Sequence, residues 1–531
     1  MERATFLIQY PRIMFILFPL ILLNLTALVL ICLRILRVNF RYSWILASGG
    51  ATLALIGIFL WHFHILESFS LPPWLLVTKL PFSPSWQLDI KSWPYAISMI
   101  ALAVAVIFTS VVRAENHPTA WAGILLVTSL GILAVIADNP LTLILAWFAI
   151  DLVELIVMLR STDGEQHIRG VVSGFAIRAA GSGLVLWAVL VSEANGIQLT
   201  FQDPSSRVGI LLLLALGLRL GSRIQELPIP EDNVVLRRFG IHLLLVSTAA
   251  TLSLLGKISI VAPNSSLSIF IIILVAITSI YSGWRWMRST DEVHGRSFWV
   301  LAMASLSLAA SLIGNPTGSS GWGVMLVLAG GLLFLNSARQ KSTSWLPFLG
   351  LIGFSALPFS VSASAWQAGN PIPWYVAGLF IPSQTFLMAG YIRHALQRGE
   401  TNLESQERWV KVLYPISLFL LAALTILLGL WGWDGAFKIG RWGSAAISFA
   451  LAIGFALLPP RFFLRIHSSG NANRWRQLIR FEWFSWIFAM IYAFFDQVTN
   501  IITSSLEGDG GVLWSLLLMT LILSVLSARG W

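Results

Sequence analysis

Apolar stretches long enough to cross a lipid bilayer recur along almost the whole of this 531-residue chain. A hydrocarbon core of about 30 Å is crossed by about twenty helical residues at 1.5 Å each. With no water inside that core, every backbone N–H and C=O must be paired within the segment, so such stretches fold as helices. They fall near 14–35, 43–66, 95–112, 119–137, 141–159, 171–192, 208–224, 237–255, 266–287, 296–313, 321–335, 345–366, 374–396, 410–433, 442–458, 483–502 and 512–527. The pattern predicts an all-α integral membrane protein with about 16–17 transmembrane helices and no soluble domain.

Composition removes the alternatives. Charged residues make up 11% of the chain and hydrophobic residues 57%, against about 25% charged in a soluble domain. A chain of this kind has too little polar surface to cover itself in water. The net charge of +10 is a topology signal. Sorted by alternate loops, 24 of the 34 Lys and Arg lie on one side, eight on the other, and Arg178 and Arg219 inside spans. This three-to-one bias predicts the N-terminus outside and the C-terminus in the cytoplasm, with lipid rather than nucleic acid as the partner of the basic excess. Residues 1–12 run straight into a full-length span without a small-residue cleavage site, which predicts an uncleaved first helix.

Nothing points to a cofactor or a metal. Cys32 is the one cysteine, so an internal disulfide is excluded, and no Cys/His cluster has zinc or iron–sulfur spacing. The histidines of Trp61-His62-Phe63-His64 are two apart and point to different faces, which does not make a haem site. A Gly-rich dinucleotide loop is missing too, so NADH and flavin are not expected. The long outer loop, 67–94, is rich in Pro and carries Trp74, Trp86 and Trp93, residues suited to the membrane–water interface. The texture changes after about residue 440, and 441–531 reads as an appended module.

Ionisable residues inside spans are costly and mark function by default. Asp151 and Glu154 in the fifth span are three apart and share one helical face. They form either a shared proton or cation site or a pair of static salt bridges to neighbouring basic residues. In the seventh region Arg219, Arg223 and Glu226 lie on one stripe, loosened by Gly217 and Gly221 and ended by Pro228 and Pro230. A broken helix at membrane depth is tolerated where it lines a cavity; a structural clamp is the other reading. Arg178, in the sixth span, is placed to pair with Asp151 or Glu154. His242 on the eighth span is either a proton relay or a hydrogen-bonded histidine of the interior. Glu292 and His294, at the entrance to the tenth, are either functional residues or a solvated turn.

The order of these features resembles a known family: the antiporter-like membrane subunits of respiratory complex I and of multisubunit Mrp-type cation/proton antiporters. The resemblance runs through most of 86–440. It is carried by Trp86-Gln-Leu88-Asp89-Ile-Lys-Ser-Trp93 before the third helix, Asn139-Pro-Leu-Thr-Leu-Ile-Leu-Ala-Trp147 in the fifth, and Gly181-Ser182-Gly183 with Ala194-Asn195-Gly196-Ile197-Gln198-Leu199 around the sixth. Arg219 to Asp232 resembles the lysine-bearing broken helix, Glu292-Val293-His294-Gly295-Arg296 the step opening helix ten, and Ala356-Leu357-Pro358-Phe359-Ser360-Val361-Ser362 the break of helix twelve.

The resemblance implies two inverted five-helix repeats, about 118–257 and 266–396, each with a broken helix, and a charged path along the membrane midplane. It divides the chain into 1–117, the repeats at 118–257 and 258–400, and a C-terminal helical extension at 401–531. Three positions depart from the family pattern. Phe148 stands where a glutamate follows the tryptophan, Arg219 replaces a lysine, and nothing ionises near Ser364-Ala365. Lysine can release its proton when desolvated and arginine cannot.

The expected function is a proton- or cation-translocating antiporter-like subunit of a complex-I-related or Mrp-related assembly, with a partly degenerate relay. Its partners would be other membrane subunits and the bilayer, in a prokaryotic cytoplasmic membrane or a thylakoid-type energy-coupling membrane. Asp151, Glu154, Arg219, Arg223 and Glu226 would make a half-channel in the first repeat. A subunit that has lost transport and only scaffolds the assembly is the alternative, favoured by Phe148, Arg219 and Ala365. An unrelated polytopic enzyme, such as a lipid-linked sugar transferase, lacks a His/Asp/Glu cluster near an interface. Any redox chemistry would belong to partner subunits.

Overall fold

The computed structural model describes residues 2–36, 42–65, 67–70, 83–110, 118–161, 165–194, 201, 206–222, 234–258, 266–338, 343–366, 374–397, 399, 406–431, 433–437, 442–457 and 497. Packing divides the chain into two units, Met1–Val171 with Arg178–Leu458, and Val172–Ile177 with Pro459–Trp531. Residues 172–177 of the second unit are helical.

The helices are α1 (Glu2–Ile35), α2 (Ser43–Leu60), α3 (Ser92–Thr109), α4 (Pro118–Val135), α5 (Pro140–Ser161), α6 (Glu165–Ala194), α7 (Ser206–Gly221) and α8 (Val234–Lys257). They continue with α9 (Ser266–Arg288), α10 (Glu292–Leu312), α11 (Pro316–Leu335), α12 (Leu346–Gly353), α13 (Trp374–Ala395), α14 (Arg408–Leu430), α15 (Asp434–Phe437) and α16 (Trp442–Leu457). Every expected span up to residue 458 coincides with one of these, α12 being the first half of the expected 345–366 segment. Among the described residues 11 helices are long and apolar enough to cross a membrane. The expected spans at 483–502 and 512–527 lie outside the described residues.

Three helices make the centre. The spans of α8 and α11 are 100% buried and that of α3 94%, whereas those of α1 and α9 are 39% buried. A helix apolar all round is a core helix, and one with a single packed face meets lipid. Packing between α11 and both α3 and α8 ties the centre together. Hydroxyls on α8 are satisfied within their own helix: Thr248 Oγ1 donates to Leu244 O at 2.6 Å and Thr251 Oγ1 to Ser247 O at 2.9 Å. On α11, small residues permit the close approach that drives association where lipid and side chains are equally apolar. A Cβ at Gly321 would sit 2.8 Å from the carbonyl oxygen of Val361, with backbone on both sides.

The segment before α3 contributes a short antiparallel pair, Ser68–Ser70 with Ser85–Gln87, and Trp86 bridges to Ala137 just after α4. The twelfth span breaks after Gly353, next to the Ala356–Ser362 segment whose resemblance to the family implied a break. Ala356 and Phe359 hold positive φ, 58° and 64°, conformations that non-glycine residues adopt at a cost. Side chains satisfy the freed backbone: Ser362 Oγ donates to Gly353 O at 3.0 Å and accepts from Ala356 N at 3.0 Å. Gln384 Nε2 reaches Ser355 O at 2.9 Å, and Trp433 Nε1 reaches Val361 O at 2.9 Å. These bonds are the condition on which irregular backbone survives at membrane depth.

At the start of α10, Asp291 is an N-cap, accepting from His294 N at 2.7 Å and pairing with His294 Nδ1 at 2.7 Å. Burial alone would push this carboxyl up, but hydrogen bonds from His294 and Val293 hold it below the usual carboxylate range. Its folded pKa is therefore depressed. The stabilisation is complete above the unfolded value of about 3.9 and is lost as pH falls through the lower folded value. Asp291→Ala is expected to cost about 1 kcal/mol at neutral pH. The gap between the two thermal midpoints in detergent should close below pH of about 4.

Candidate functional site

The sequence of α5 divides into two faces. Leu145, Phe148, Leu152, Ile156 and Leu159 are exposed, while Trp147, Ile150, Asp151, Glu154 and Met158 are buried. The spacing is that of a helix with one apolar stripe outward and one packed stripe inward. Position 148, where the family resemblance places a glutamate, lies on the outward stripe, turned away from the buried face of the helix. Asp151, four residues after Trp147, carries the acidic group on the inward stripe instead.

Four charged side chains meet on that inner face. Arg178 of α6 donates from Nε to Asp151 Oδ1 at 2.9 Å, and its Nη2 lies 3.1 Å from Glu154 Oε1. From α7, Arg219 donates through Nη1 to Asp151 Oδ2 at 2.7 Å and through Nη2 to Asp151 Oδ1 at 3.2 Å. Its Nη1 also reaches Ser182 Oγ at 2.9 Å and the carbonyl of Arg178 at 3.2 Å. Asp151 and Glu154 are 0% exposed, Arg219 1% and Arg178 2%. Two carboxylates and two guanidiniums cancel, which is how a desolvated cluster of this size is tolerated at all. The Nε–H of Arg219 has no acceptor among the described residues.

Three neighbours position the cluster without being charged. Trp147 lies under Arg219, with the guanidinium carbon 4.4 Å from the ring centre, and its indole N–H donates to Ala250 O of α8 at 3.2 Å. Ser182 supplies the hydroxyl already noted. Gly181 leaves room for the arginine stem: a Cβ there would meet Arg219 Cγ at 2.8 Å and Ala215 O at 3.0 Å. Asp151, Glu154, Arg178 and Arg219 are the residues expected from the sequence. Trp147 and Ser182 belonged to the quoted motifs, but only their sequence offset from Asp151 and Arg178 hinted at a role here. Arg223 and Glu226 lie outside the described residues.

His242 is placed elsewhere on α8, eight residues or about 12 Å along the helix from Ala250. It is fully buried, and its Nε2 is 3.0 Å from Thr128 Oγ1 of α4. Thr128 donates its own proton to Ile124 O at 2.7 Å, so it accepts from His242. The imidazole is then the Nε2–H tautomer, and its Nδ1 has no partner among the described residues. His294 belongs to the exposed N-cap of α10 and is not brought to the cluster. Among the described residues the buried polar groups around the break after α12 are neutral: Asn315 Nδ2 donates to Ser364 O at 2.6 Å and Trp366 Nε1 to Gln384 Oε1 at 3.2 Å.

No protein-family model matches the sequence, and no curated protein matches it. Solved structures do match by fold. The Mrp complex from Dietzia sp. DQ12-45-1b superposes with a TM-score of 0.66 at 14% identity, over 97% of this chain and 63% of that one. The membrane-bound sulfane sulfur reductase, an archaeal respiratory membrane complex, gives 0.64 at 13% identity over 96% and 100%. Respiratory complex I from Thermus thermophilus with bound aureothin gives 0.55 at 17% identity over 78% and 98%. The chain thus spans under two thirds of the Mrp chain and nearly the whole of the other two.

Fold and site together define an all-α, multi-pass integral membrane protein with an ion-paired cluster enclosed among α5, α6 and α7. More particularly, the chain shares its fold with chains of an Mrp complex, a membrane-bound sulfane sulfur reductase and a respiratory complex I.

Proposed function

We propose that this chain is an antiporter-like membrane subunit of a complex-I-related or Mrp-related assembly, and that its buried cluster is a fixed-charge clamp rather than a proton carrier. The reading takes α4–α8 and α9–α13 as the two inverted repeats. It places the protein in a prokaryotic cytoplasmic membrane or a related energy-coupling membrane. One observation carries it: among the described residues the cations that hold Asp151 are both arginines, and Asp151 accepts three guanidinium N–H bonds from them. A guanidinium does not give up its proton inside a protein, so it can hold charge and geometry but cannot pass a proton on. The neutral side chains at the break after α12 support the same reading.

The test is purification with whatever subunits accompany the chain, followed by ion flux in vesicles. Asp151→Asn/Glu154→Gln should reduce the yield of assembled complex while each assembled complex keeps its flux. Full assembly with abolished flux would reject the clamp. A second reading, translocation through this chain, draws on His242, a buried imidazole whose Nδ1 has no partner among the described residues. For that reading His242→Gln should abolish flux in a fully assembled complex.

A further inference from the structure

Along the outward face of α9, Phe270, Ile273 and Leu274 are exposed apolar residues. Continued at helical spacing, the same face reaches Tyr281, Trp284, Arg285 and Arg288 at the end of the helix. Both arginines are exposed and both lie over aromatic rings. The guanidinium carbon of Arg285 is 5.0 Å from the ring centre of Phe298 on α10, and that of Arg288 is 5.3 Å from Trp284. The rings are themselves fixed: Phe298 meets Tyr281 edge-on at 6.4 Å, and Trp284 meets Phe386 of α13 at 5.3 Å. A guanidinium stacked on a ring keeps the N–H groups at its edge directed sideways, the geometry that receives two oxygens of a phosphate.

Further basic side chains lie around this end among the described residues. Arg393 donates to Met287 O at 2.7 Å and Arg296 to Val293 O at 3.1 Å, both close to the end of α9. Asp291, just beyond the helix, is engaged with His294. The positive-inside bias puts this end at the cytoplasmic leaflet, where anionic headgroups concentrate.

We propose that the C-terminal end of α9 binds the phosphodiester headgroup of an anionic phospholipid through Arg285 and Arg288, with an acyl chain lying on the Phe270–Leu274 stripe. The apolar stripe selects lipid over free phosphate: it continues from the arginines to the depth of the acyl chains, and a soluble anion would leave it unused. The site is independent of whether the buried cluster carries protons.

The experiment uses the full chain purified in detergent, titrated with dioleoylphosphatidylglycerol and read by native mass spectrometry. Dioleoylphosphatidylcholine and inorganic phosphate serve as the comparison probes. The wild type should retain phosphatidylglycerol in preference to phosphatidylcholine, and millimolar inorganic phosphate should not displace it. Arg285→Gln/Arg288→Gln should weaken phosphatidylglycerol binding about 25-fold, taking about five-fold for each basic residue at the surface. Arg285→Lys/Arg288→Lys keeps both charges, gives up the planar stack, and should fall between the two. Unchanged thermal midpoints in phosphatidylcholine will show that the variants are folded. Equal binding by wild type and the glutamine variant, or equal retention of the two lipids, would overturn the site. Displacement by inorganic phosphate would overturn the lipid assignment.

Discussion

Replacing Asp151 with alanine is expected to cost about 3–5 kcal/mol of stability, because it leaves two arginines buried with one carboxylate between them. Arg178 and Arg219 both donate to Asp151, at 2.9 and 2.7 Å, and neither can neutralise itself by releasing a proton. The check is the thermal or chemical denaturation midpoint of the chain in one detergent. The informative partner experiment removes the whole cluster. Asp151→Leu/Glu154→Leu/Arg178→Leu/Arg219→Met should lie within about 1 kcal/mol of wild type or above it, since well-packed apolar replacements of buried ion networks are often neutral or stabilising. A tolerated Asp151→Ala would mean that Glu154 swings in to take both guanidiniums. It would leave the geometry described here without its energetic consequence.

Trp147→Ala is the second large effect, about 3–5 kcal/mol for a buried tryptophan truncated to a methyl group. The ring is fully buried, supports Arg219 at 4.4 Å and donates to Ala250 O at 3.2 Å. Trp147→Phe keeps an aromatic face and gives up the indole N–H, so it should cost about 1–2 kcal/mol, mostly the lost hydrogen bond and leftover space. A double-mutant cycle between Trp147→Phe and Arg219→Met measures the coupling directly. Because Trp147 joins α5 to α8 while Arg219 comes from α7, coupling near zero would mean that the cluster is not braced by the central helix.

The elements were legible because each is a local property of the chain. Largely apolar stretches of 18 and 23 residues mark α4 and α14 with no knowledge of neighbours. The acidic face of α5 was equally local, since residues 151 and 154 share a face on any helix. The partners were not. Sequence reasoning offered Arg178 a choice of Asp151 or Glu154, and the structure gives it both. No periodicity pairs His242 with Thr128, 114 residues away, or aims Trp433 at the carbonyl of Val361, 72 residues away. Those contacts exist only once helices distant in sequence are packed side by side.

What the amino-acid order determines by itself is therefore the membrane class, where along the chain most helices lie and which side of a helix is costly to expose. Hydropathy and helical period act over a few turns, so both can be read along one strand of text. The meeting of Asp151, Glu154, Arg178 and Arg219 from three helices, the turning of Phe148 away from them, and the support of Arg219 by Trp147 were decided by packing. A desolvated charge takes whichever opposite charge the tertiary arrangement brings within about 3 Å, and that distance is a property of the fold, not of the spacing of letters.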